Sequence, residues 1–199
     1  MRMVTMNQRQ MQILDSLSNL EILTRSQIQT LHNTKSTRNT NFIMQSLKPY
    51  TRSIRLKENA YYLNKKGAEL TGAKRQFRVN EQLTHKLMRN DAYIYFEPHK
   101  WLVEQEVKVM NISVKPDAYF VIGNSRHFLE VDNTQKWNVN VKKMKYYRKL
   151  KETNAFQQKY GSFPSIVWVI KHESRKDKLM KVADELELNI NVYVHDEII

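Results

Sequence analysis

The sequence contains no cysteine and only four glycines and four prolines. A chain without cysteine has no disulfide bond, no zinc site with thiolate ligands and no cysteine nucleophile. It also has no glycine-rich loop of the kind that cradles phosphates, and no serine nucleophile motif occurs. We therefore expect no ATP-driven or acyl-transfer chemistry, and we expect oxygen ligands for any bound metal ion.

Long apolar runs are also absent. The sequence has no stretch of about 18 apolar residues, as a membrane-spanning helix requires, and its start is polar from Met6 to Arg9. These features predict neither a membrane span nor a secretory signal. Because 41% of the residues are hydrophobic, the chain can form folded cores. We expect a cytoplasmic protein without membrane contacts.

Acidic residues are few compared with basic ones. The chain has 20 Asp and Glu against 33 Lys and Arg, a formal net charge of +13. Most of the excess lies in residues 1–76, which contain 13 basic and 4 acidic side chains. This charge predicts a polyanionic partner, and nucleic acid is favoured over a membrane. The alternative is a basic surface that only provides solubility.

Three amphipathic helices are predicted in the first part of the chain. Apolar residues recur at helical spacing over about residues 6–19. Thr24 and Gln27 form a capping-box pattern that begins a second helix. Ser36 caps a third helix, which ends before Pro49. The predicted apolar side of this third helix consists of Phe42, Ile43, Met44 and Leu47.

Two strands and a short helix follow these three helices. The basic segment from Tyr50 to Lys57 predicts one strand, and Ala60 to Leu63 predicts its return strand. Lys66 to Leu70 predicts a short closing helix. Three helices followed by a hairpin is the element order of a winged helix-turn-helix. We therefore expect residues 1–76 to form a winged helix-turn-helix domain.

Polar and basic side chains of this domain are predicted to contact double-stranded DNA. Arg and Asn are suited to bidentate pairing with guanine and adenine in a major groove, whereas basic side chains on a wing contact phosphates. The predicted DNA-binding residues of the third helix and the turn before it are Lys35, Arg38, Asn39 and Asn41. Those of the wing are Arg52, Arg55 and Lys57. The alternative is a protein-interaction module whose polar face is solvated.

Residues 77–199 are predicted to form a second domain, with Ala73 to Gln76 as the junction. A helix is expected over about residues 79–92, with Leu83, Leu87 and Met88 on its inner face. The later segments are strands at Trp101–Met110, Ser113–Ile122 and His127–Asp132, a long helix from Trp137, a strand at Ile166–Ile170, a helix capped by Ser174, and a strand at Ile190–Val194. This order predicts an α/β domain with a mixed central sheet in a chain that is α+β overall.

Three acidic residues lie in segments that otherwise have the pattern of buried strands. Asp117 belongs to the first strand of a predicted hairpin, and Glu130 and Asp132 belong to the second. Buried carboxylates are unfavourable unless they bind a cation or accept hydrogen bonds. One interpretation is a Mg²⁺ or Mn²⁺ ion held by all three and facing a phosphate. The other is that Glu130 and Asp132 accept hydrogen bonds from turn amides or pair with Lys142 or Lys143.

The element order and the acids of the hairpin resemble the PD-(D/E)xK restriction-endonuclease-like fold. With the winged helix ahead of it, most of the chain resembles the replication-relaxation family of plasmids, phages and other mobile elements of Gram-positive bacteria. The residues that support this resemblance are Tyr61-Tyr62-Leu63 to Gly67, His85-Lys86-Leu87 with Asn90-Asp91, Pro116-Asp117-Ala118-Tyr119, and Phe128-Leu129-Glu130-Val131-Asp132-Asn133-Thr134.

The resemblance implies roles for the acidic residues. In the nuclease-like fold, the Asp after Pro and the first acid of the next strand bind Mg²⁺, which here are Asp117 and Glu130. A lysine normally follows the second acid by two residues, but Asp132 stands there. An acid cannot replace a cation beside phosphate, so this departure favours a degenerate domain unless Asp132 is a further metal ligand and another lysine completes the catalytic centre. The candidate lysines are Lys136, Lys142 and Lys143.

Three functions are compatible with these features. The first hypothesis is a double-stranded DNA-binding protein of a mobile element that acts in plasmid or phage replication, in DNA relaxation, or in their control. Its expected partners are DNA, a second copy of the chain in a homodimer, and other replication proteins. The second hypothesis is a Mg²⁺-dependent DNA endonuclease or nickase. The third is a dimeric transcriptional regulator.

Overall fold

The chain divides into two compact units, Met1–Asn90 and Asp91–Ile199. The computed structural model describes residues 6–73 and 77–199. The division falls within a helix, so the first unit continues past the predicted limit at residue 76. Of the predicted junction, Lys74 to Gln76 lie outside the described residues.

The first unit contains helices and a three-stranded antiparallel sheet. Its elements are α1 (Gln8–Leu20), β1 (Leu23–Thr24), α2 (Arg25–Leu31), α3 (Thr37–Ser46), β2 (Thr51–Arg55), β3 (Asn59–Leu63), α4 (Lys65–Thr71) and the first part of α5 (Leu83–Phe96). The sheet order is β1-β3-β2. The predicted order of three helices, a hairpin and a closing helix is therefore confirmed.

Side-chain caps determine where α2 and α3 begin. The Thr24 hydroxyl accepts a hydrogen bond from the Gln27 amide at 3.1 Å, and the Gln27 side chain accepts one from the Thr24 amide at 2.9 Å. The Ser36 hydroxyl accepts from the Asn39 amide at 3.2 Å. These bonds satisfy amides that have no partner within the first helical turn. Both caps confirm the sequence prediction.

The hairpin and α4 meet at Gly67. A β-carbon at this position would lie 2.2 Å from the carbonyl oxygen of Tyr50, which is closer than any real contact of that kind. Only glycine lets the helix approach the backbone before β2 so closely. This packing accounts for a glycine in the segment that follows β3.

The predicted apolar side of α3 is partly wrong. Thr40, Met44 and Leu47 are buried on one side of this helix, but Phe42 is 71% exposed. Phe42 is two positions from both Thr40 and Met44, which places it about 200° around the helix from each. Three consecutive apolar residues cannot all face one core, and Phe42 is the one that faces out.

A buried ionic cluster joins α5 to the end of α1 within the first unit. Both Glu21 carboxylate oxygens accept hydrogen bonds from Lys86 Nζ at 2.7 Å, and one accepts from Arg89 Nη2 at 3.0 Å. The Asn90 side chain donates to the Leu20 carbonyl at 3.0 Å and to the Ile22 carbonyl at 2.6 Å. The predicted inner face of α5 is confirmed, since Met88 is buried and Leu83 and Leu87 pack against a buried apolar cluster of the first unit. The polar contacts beside it were not predicted.

The second unit contains a five-stranded sheet. Its elements are the rest of α5, then β4 (Lys100–Val103), β5 (Val107–Val109), β6 (Ile112–Val114), β7 (Ala118–Ile122), β8 (Ser125–Asp132), α6 (Trp137–Glu152), α7 (Ala155–Tyr160), β9 (Ser165–Ile170), a 3₁₀ turn (Glu173–Arg175), α8 (Lys176–Glu185), β10 (Ile190–Val194) and a 3₁₀ turn (His195–Glu197). The sheet order is β10-β9-β8-β7-β4. β8, β9 and β10 are parallel, whereas β7 and β4 are antiparallel to their neighbours. The predicted mixed α/β class is confirmed.

Two predicted strands are each split in two, and one predicted cap is wrong. The chain leaves the extended conformation at Glu104, where φ is 49°, between β4 and β5. Pro116 separates β6 from β7, because proline has no N–H to donate to a sheet ladder. Within residues 6–73 and 77–199, β5 and β6 pair with each other and with no other strand. The helix predicted to be capped by Ser174 begins after Arg175 without a side-chain cap.

The core of the second unit lies between the sheet and the helices α6 and α8. Its largest buried side chains are Trp168, Tyr147 and Phe128. Trp101 packs against Phe120 at 5.5 Å between ring centroids. In the part of the chain that the structure describes, no helix is long and apolar enough to cross a membrane.

We predict that Glu21→Gln destabilises the first unit by about 3 kcal/mol, since it removes the carboxylate that balances two buried cations. The change keeps the size of the side chain. Urea unfolding followed by circular dichroism, with hydrogen exchange of α1, measures the effect.

The matched control is Glu69→Gln. Glu69 is exposed and its carboxylate lies 3.9 Å from Lys65 Nζ, so its replacement should leave the unfolding curve unchanged. Equal free energies of unfolding for Glu21→Gln and Glu69→Gln would show that the buried ionic cluster does not stabilise the first unit.

Candidate functional site

One face of α3 is exposed along the whole helix. Its exposed side chains are Thr37, Arg38, Asn41, Phe42, Gln45 and Ser46. Arg38, Phe42 and Gln45 lie on the side opposite the buried Thr40, Met44 and Leu47. Thr37 lies one turn before Thr40 and is exposed at the start of the helix. Since this face includes no acidic residue, it offers hydrogen-bond donors and one positive charge to a partner.

The predicted DNA-binding residues of this region differ in exposure. Lys35, Arg38 and Asn41 are exposed. Asn39 is half-buried, and its side-chain nitrogen donates to the Thr34 carbonyl at 2.8 Å. This contact gives Asn39 a role in holding the turn before α3.

The predicted wing residues are all exposed. Arg52 and Arg55 lie on β2, and Lys57 lies in the turn between β2 and β3. The one acid of that turn, Glu58, is held by the Arg25 guanidinium at 2.9 Å and by the Ser26 hydroxyl at 2.9 Å. Its charge is therefore compensated from α2, and the wing surface stays basic.

A groove of about 650 Å³ lies between α3 and the hairpin, within the first unit. Most of the side chains that line it have amides, hydroxyls or positive charges. They are Asn41, Met44, Gln45, Lys48, Thr51, Arg52, Ser53, Asn59, Tyr61, Tyr62 and Asn64. Lys48 and Gln45 were not among the predicted DNA-binding residues. Gln45 lies four residues after Asn41, and Lys48 lies three residues after Gln45. This helical spacing is the signal that identifies both.

The carboxylate of Asp117 connects the two strands of the acidic hairpin. Its Oδ2 atom accepts a hydrogen bond from the Val131 amide at 2.7 Å. Its own amide donates to the Leu129 carbonyl at 2.9 Å. Asp117 therefore holds the start of β7 against β8.

Glu130 is buried on β8 and pairs with two side chains of α6. One carboxylate oxygen contacts Lys143 Nζ, and the other accepts a hydrogen bond from the Tyr147 hydroxyl at 2.6 Å. Burial, together with the nearby Asp117 charge, raises the pKa of Glu130 to about 7 against the opposing effect of the Lys143 charge. Burial and the same carboxylate raise the pKa of Tyr147 as well.

Asp132 points to the same side of β8 and has its own partners. Its carboxylate accepts hydrogen bonds from the Gln135 amide at 3.1 Å and from the Asn140 side chain at 2.6 Å. It also contacts the Arg175 guanidinium. The lysine position of the nuclease-like motif is thus occupied by an acid that three other groups hold.

The structure brings Lys143 to Glu130 but leaves the other two candidate lysines exposed. Lys136 precedes α6 and Lys142 lies on its outer face. Sequence reasoning missed three partners, namely Tyr147, Asn140 and Arg175. Asn140 and Tyr147 lie three residues before and four after Lys143, so helical spacing was a signal for both. Arg175 has no such local signal.

Groups of the protein itself engage all three of these carboxylates. Each accepts hydrogen bonds from protein donors, and two are balanced by positively charged side chains. Among residues 6–73 and 77–199, no group of three acidic or histidine side chains is placed to hold an ion. As folded, the hairpin is a compensated buried cluster, and metal binding by Asp117, Glu130 and Asp132 stays a prediction.

We predict that the free energy of unfolding of the wild-type second unit falls relative to that of the Glu130→Gln variant as the pH rises from about 5 to about 8. The expected loss is on the order of 2 kcal/mol. The pKa of Glu130 is about 7 in the folded chain and has an ordinary value of 4.5 when exposed. The folded state therefore binds this proton more tightly, and its stabilisation is present below about pH 4.5 and lost as the pH rises through about 7.

Tryptophan fluorescence during urea unfolding measures this difference, because all three tryptophans lie in residues 91–199. The control is Glu185→Gln, an exposed residue of α8. If the free energies of unfolding of the wild type and Glu130→Gln differed by the same amount at every pH in this range, the raised pKa of Glu130 would be contradicted.

A family model described as replication-relaxation matches residues 14–166 of the chain. The match includes α3, the β2–β3 hairpin and the acidic hairpin with Lys143. Neither the curated proteins nor the solved structures yield a significant match. The family points to a role in the replication or relaxation of a plasmid or another mobile element. Since more than half of the sequence is matched, the chain belongs to the replication-relaxation family.

Proposed function

We propose that this protein binds double-stranded DNA through its first unit, as part of the replication or relaxation of a mobile element. The first unit is, in this proposal, a winged helix-turn-helix with α3 as the recognition helix and the β2–β3 hairpin as the wing. The observation that supports it best is the exposed polar face of α3 beside a groove without acidic side chains.

The dimensions and side chains of α3 suit a major groove. A helix of 10 residues is about 15 Å long, and a major groove is about 12 Å wide. Arg38 is suited to guanine, and Asn41 and Gln45 are suited to adenine. Asn39 is left out of this set because its side-chain nitrogen is bonded to Thr34.

Basic residues around the groove supply contacts to phosphates. Lys48 follows α3, Arg52 and Arg55 lie on β2, and Lys57 lies at the tip of the wing. Such contacts set the orientation of a protein on DNA and make its affinity depend on salt. Lys35 is exposed in the turn before α3 and adds a further positive charge next to this helix.

The second unit has a non-cleaving role in this proposal. Its hairpin keeps the acids of a PD-(D/E)xK-like centre, but Glu130 and Asp132 are buried and balanced by Lys143 and Arg175. A protein cation beside a carboxylate offsets the negative field that would attract a metal ion. The unit then serves as a scaffold for assembly, and homodimer formation and contacts with replication proteins stay predictions.

We expect that Arg38→Ala and Asn41→Ala each weaken binding to a DNA sequence selected from random duplexes by about tenfold, and relax the sequence preference. The reason is that each variant removes hydrogen bonds to base edges. Fluorescence anisotropy with the selected and with scrambled duplexes measures both effects.

Two variants serve as controls. Lys57→Ala should weaken binding to all sequences alike and lower the salt dependence, because a phosphate contact has no sequence preference. Arg9→Ala removes the same charge from an exposed position of α1 and should change neither property. Unchanged selectivity in both α3 variants would refute the proposed recognition helix.

We further predict that the protein does not nick supercoiled plasmid in Mg²⁺ or Mn²⁺, because the acidic hairpin is held by protein cations. Agarose gels of plasmid incubated with purified protein test this. Metal-dependent nicking that disappears in both Asp117→Ala and Glu130→Ala would overturn the non-cleaving role and support an endonuclease. Nicking that persists in both variants would instead indicate a contaminating nuclease.

A regulator of transcription would use the same DNA-binding surface of the protein but would bind at a promoter instead of a replication origin. Footprinting on the DNA of the mobile element distinguishes the two cases. Protection at a replication origin supports the proposal, whereas protection confined to a promoter supports transcriptional control.

A further inference from the structure

Phe42 is a large apolar side chain in the middle of a polar surface. Its side chain is 71% exposed. Tyr95 is the next most exposed large hydrophobic residue in the described helices and strands, and it is 49% exposed. Its neighbours on the same face of α3 are Arg38, Asn41 and Gln45, all exposed. Burial of the ring in the first unit therefore does not account for a phenylalanine at this position.

The surroundings of Phe42 select one class of partner. Lys35 and Arg38 precede it, and Asn41 and Gln45 flank it, so the exposed ring is surrounded by positive charge and amides. Acidic residues are absent from the exposed positions of α3. This charge is complementary to the phosphates of nucleic acid.

We propose that Phe42 contacts the 5-methyl group of a thymine in the major groove and makes that thymine a required base of the DNA site. The inference rests on the proposed function, because it requires that α3 enters a major groove. The 5-methyl group is the one apolar feature of base edges in that groove, and phenylalanine is among the residues suited to it.

The spacing of the side chains places this thymine within the site. From Arg38 to Gln45 the helix rises about 10 Å, which corresponds to about three base-pair steps. Phe42 lies between these two residues and directly follows Asn41. The thymine should therefore lie at or next to the adenine–thymine pair that Asn41 contacts.

The test uses the full chain and a duplex site obtained by selection from random sequences. Each thymine of the site is replaced in turn by deoxyuridine, which lacks only the methyl group. One replacement should weaken binding by about fourfold, as expected for the loss of one buried methyl. Phe42→Ala should weaken binding to the thymine site by about tenfold.

The two changes are then combined in a double-mutant cycle. On the deoxyuridine site, Phe42→Ala should cost much less than on the thymine site, because the contact is already lost. Leu70→Ala is the matched control, since Leu70 is also an exposed apolar residue of a helix in the first unit. This control should have the same affinity as the wild type on both sites.

Each other outcome overturns the inference. Additive effects of Phe42→Ala and deoxyuridine, or no sensitivity to any thymine methyl, would show that the ring does not contact this group. Unchanged DNA affinity together with lost self-association in sedimentation would assign Phe42 to a protein interface. These outcomes leave the proposed function intact if Arg38→Ala still relaxes selectivity, whereas failure to select any site refutes both.

Discussion

Compensation of buried carboxylates by cations from other elements is the constraint on which both units depend. Glu21, Glu130 and Asp132 are all almost fully buried, and each contacts at least one positively charged side chain. A buried carboxylate without such a partner is strongly unfavourable. Each pair therefore joins elements that hydrophobic packing alone would hold less specifically: α5 to the end of α1, α6 to β8, and the turn before α8 to the end of β8.

The same constraint separates the roles of the two units. In the second unit, Lys143 and Arg175 balance the negative charge of Glu130 and Asp132 inside the protein. In the first unit, the wing acid Glu58 is held by Arg25, so the basic residues of the wing and α3 face solvent. The wing and α3 of the first unit therefore present positive charge to solvent that no acidic side chain of the wing offsets.

Local signals in the sequence identified most of the elements but not the contacts between them. The Thr24–Gln27 and Ser36 caps identified the starts of α2 and α3, and the apolar run at Ile166–Ile170 identified a covered strand, because these signals act over a few residues. Phe42 was placed in the core because three apolar residues follow one another there. The Glu21 cluster was missed, since Lys86 and Arg89 lie 65 and 68 residues away and no pattern links them.

The sequence by itself determined the α/β class, the basic first third and most of the order of the elements. These follow from periodicity, capping and composition, which depend on neighbouring residues or on totals. Only the tertiary structure decided which face of α3 is exposed, that Asn39 is engaged by Thr34, and that Lys143, rather than Lys136 or Lys142, meets Glu130. The orientation of a helix and the partner of a buried charge depend on packing between distant segments, and that information exists only once the chain has folded.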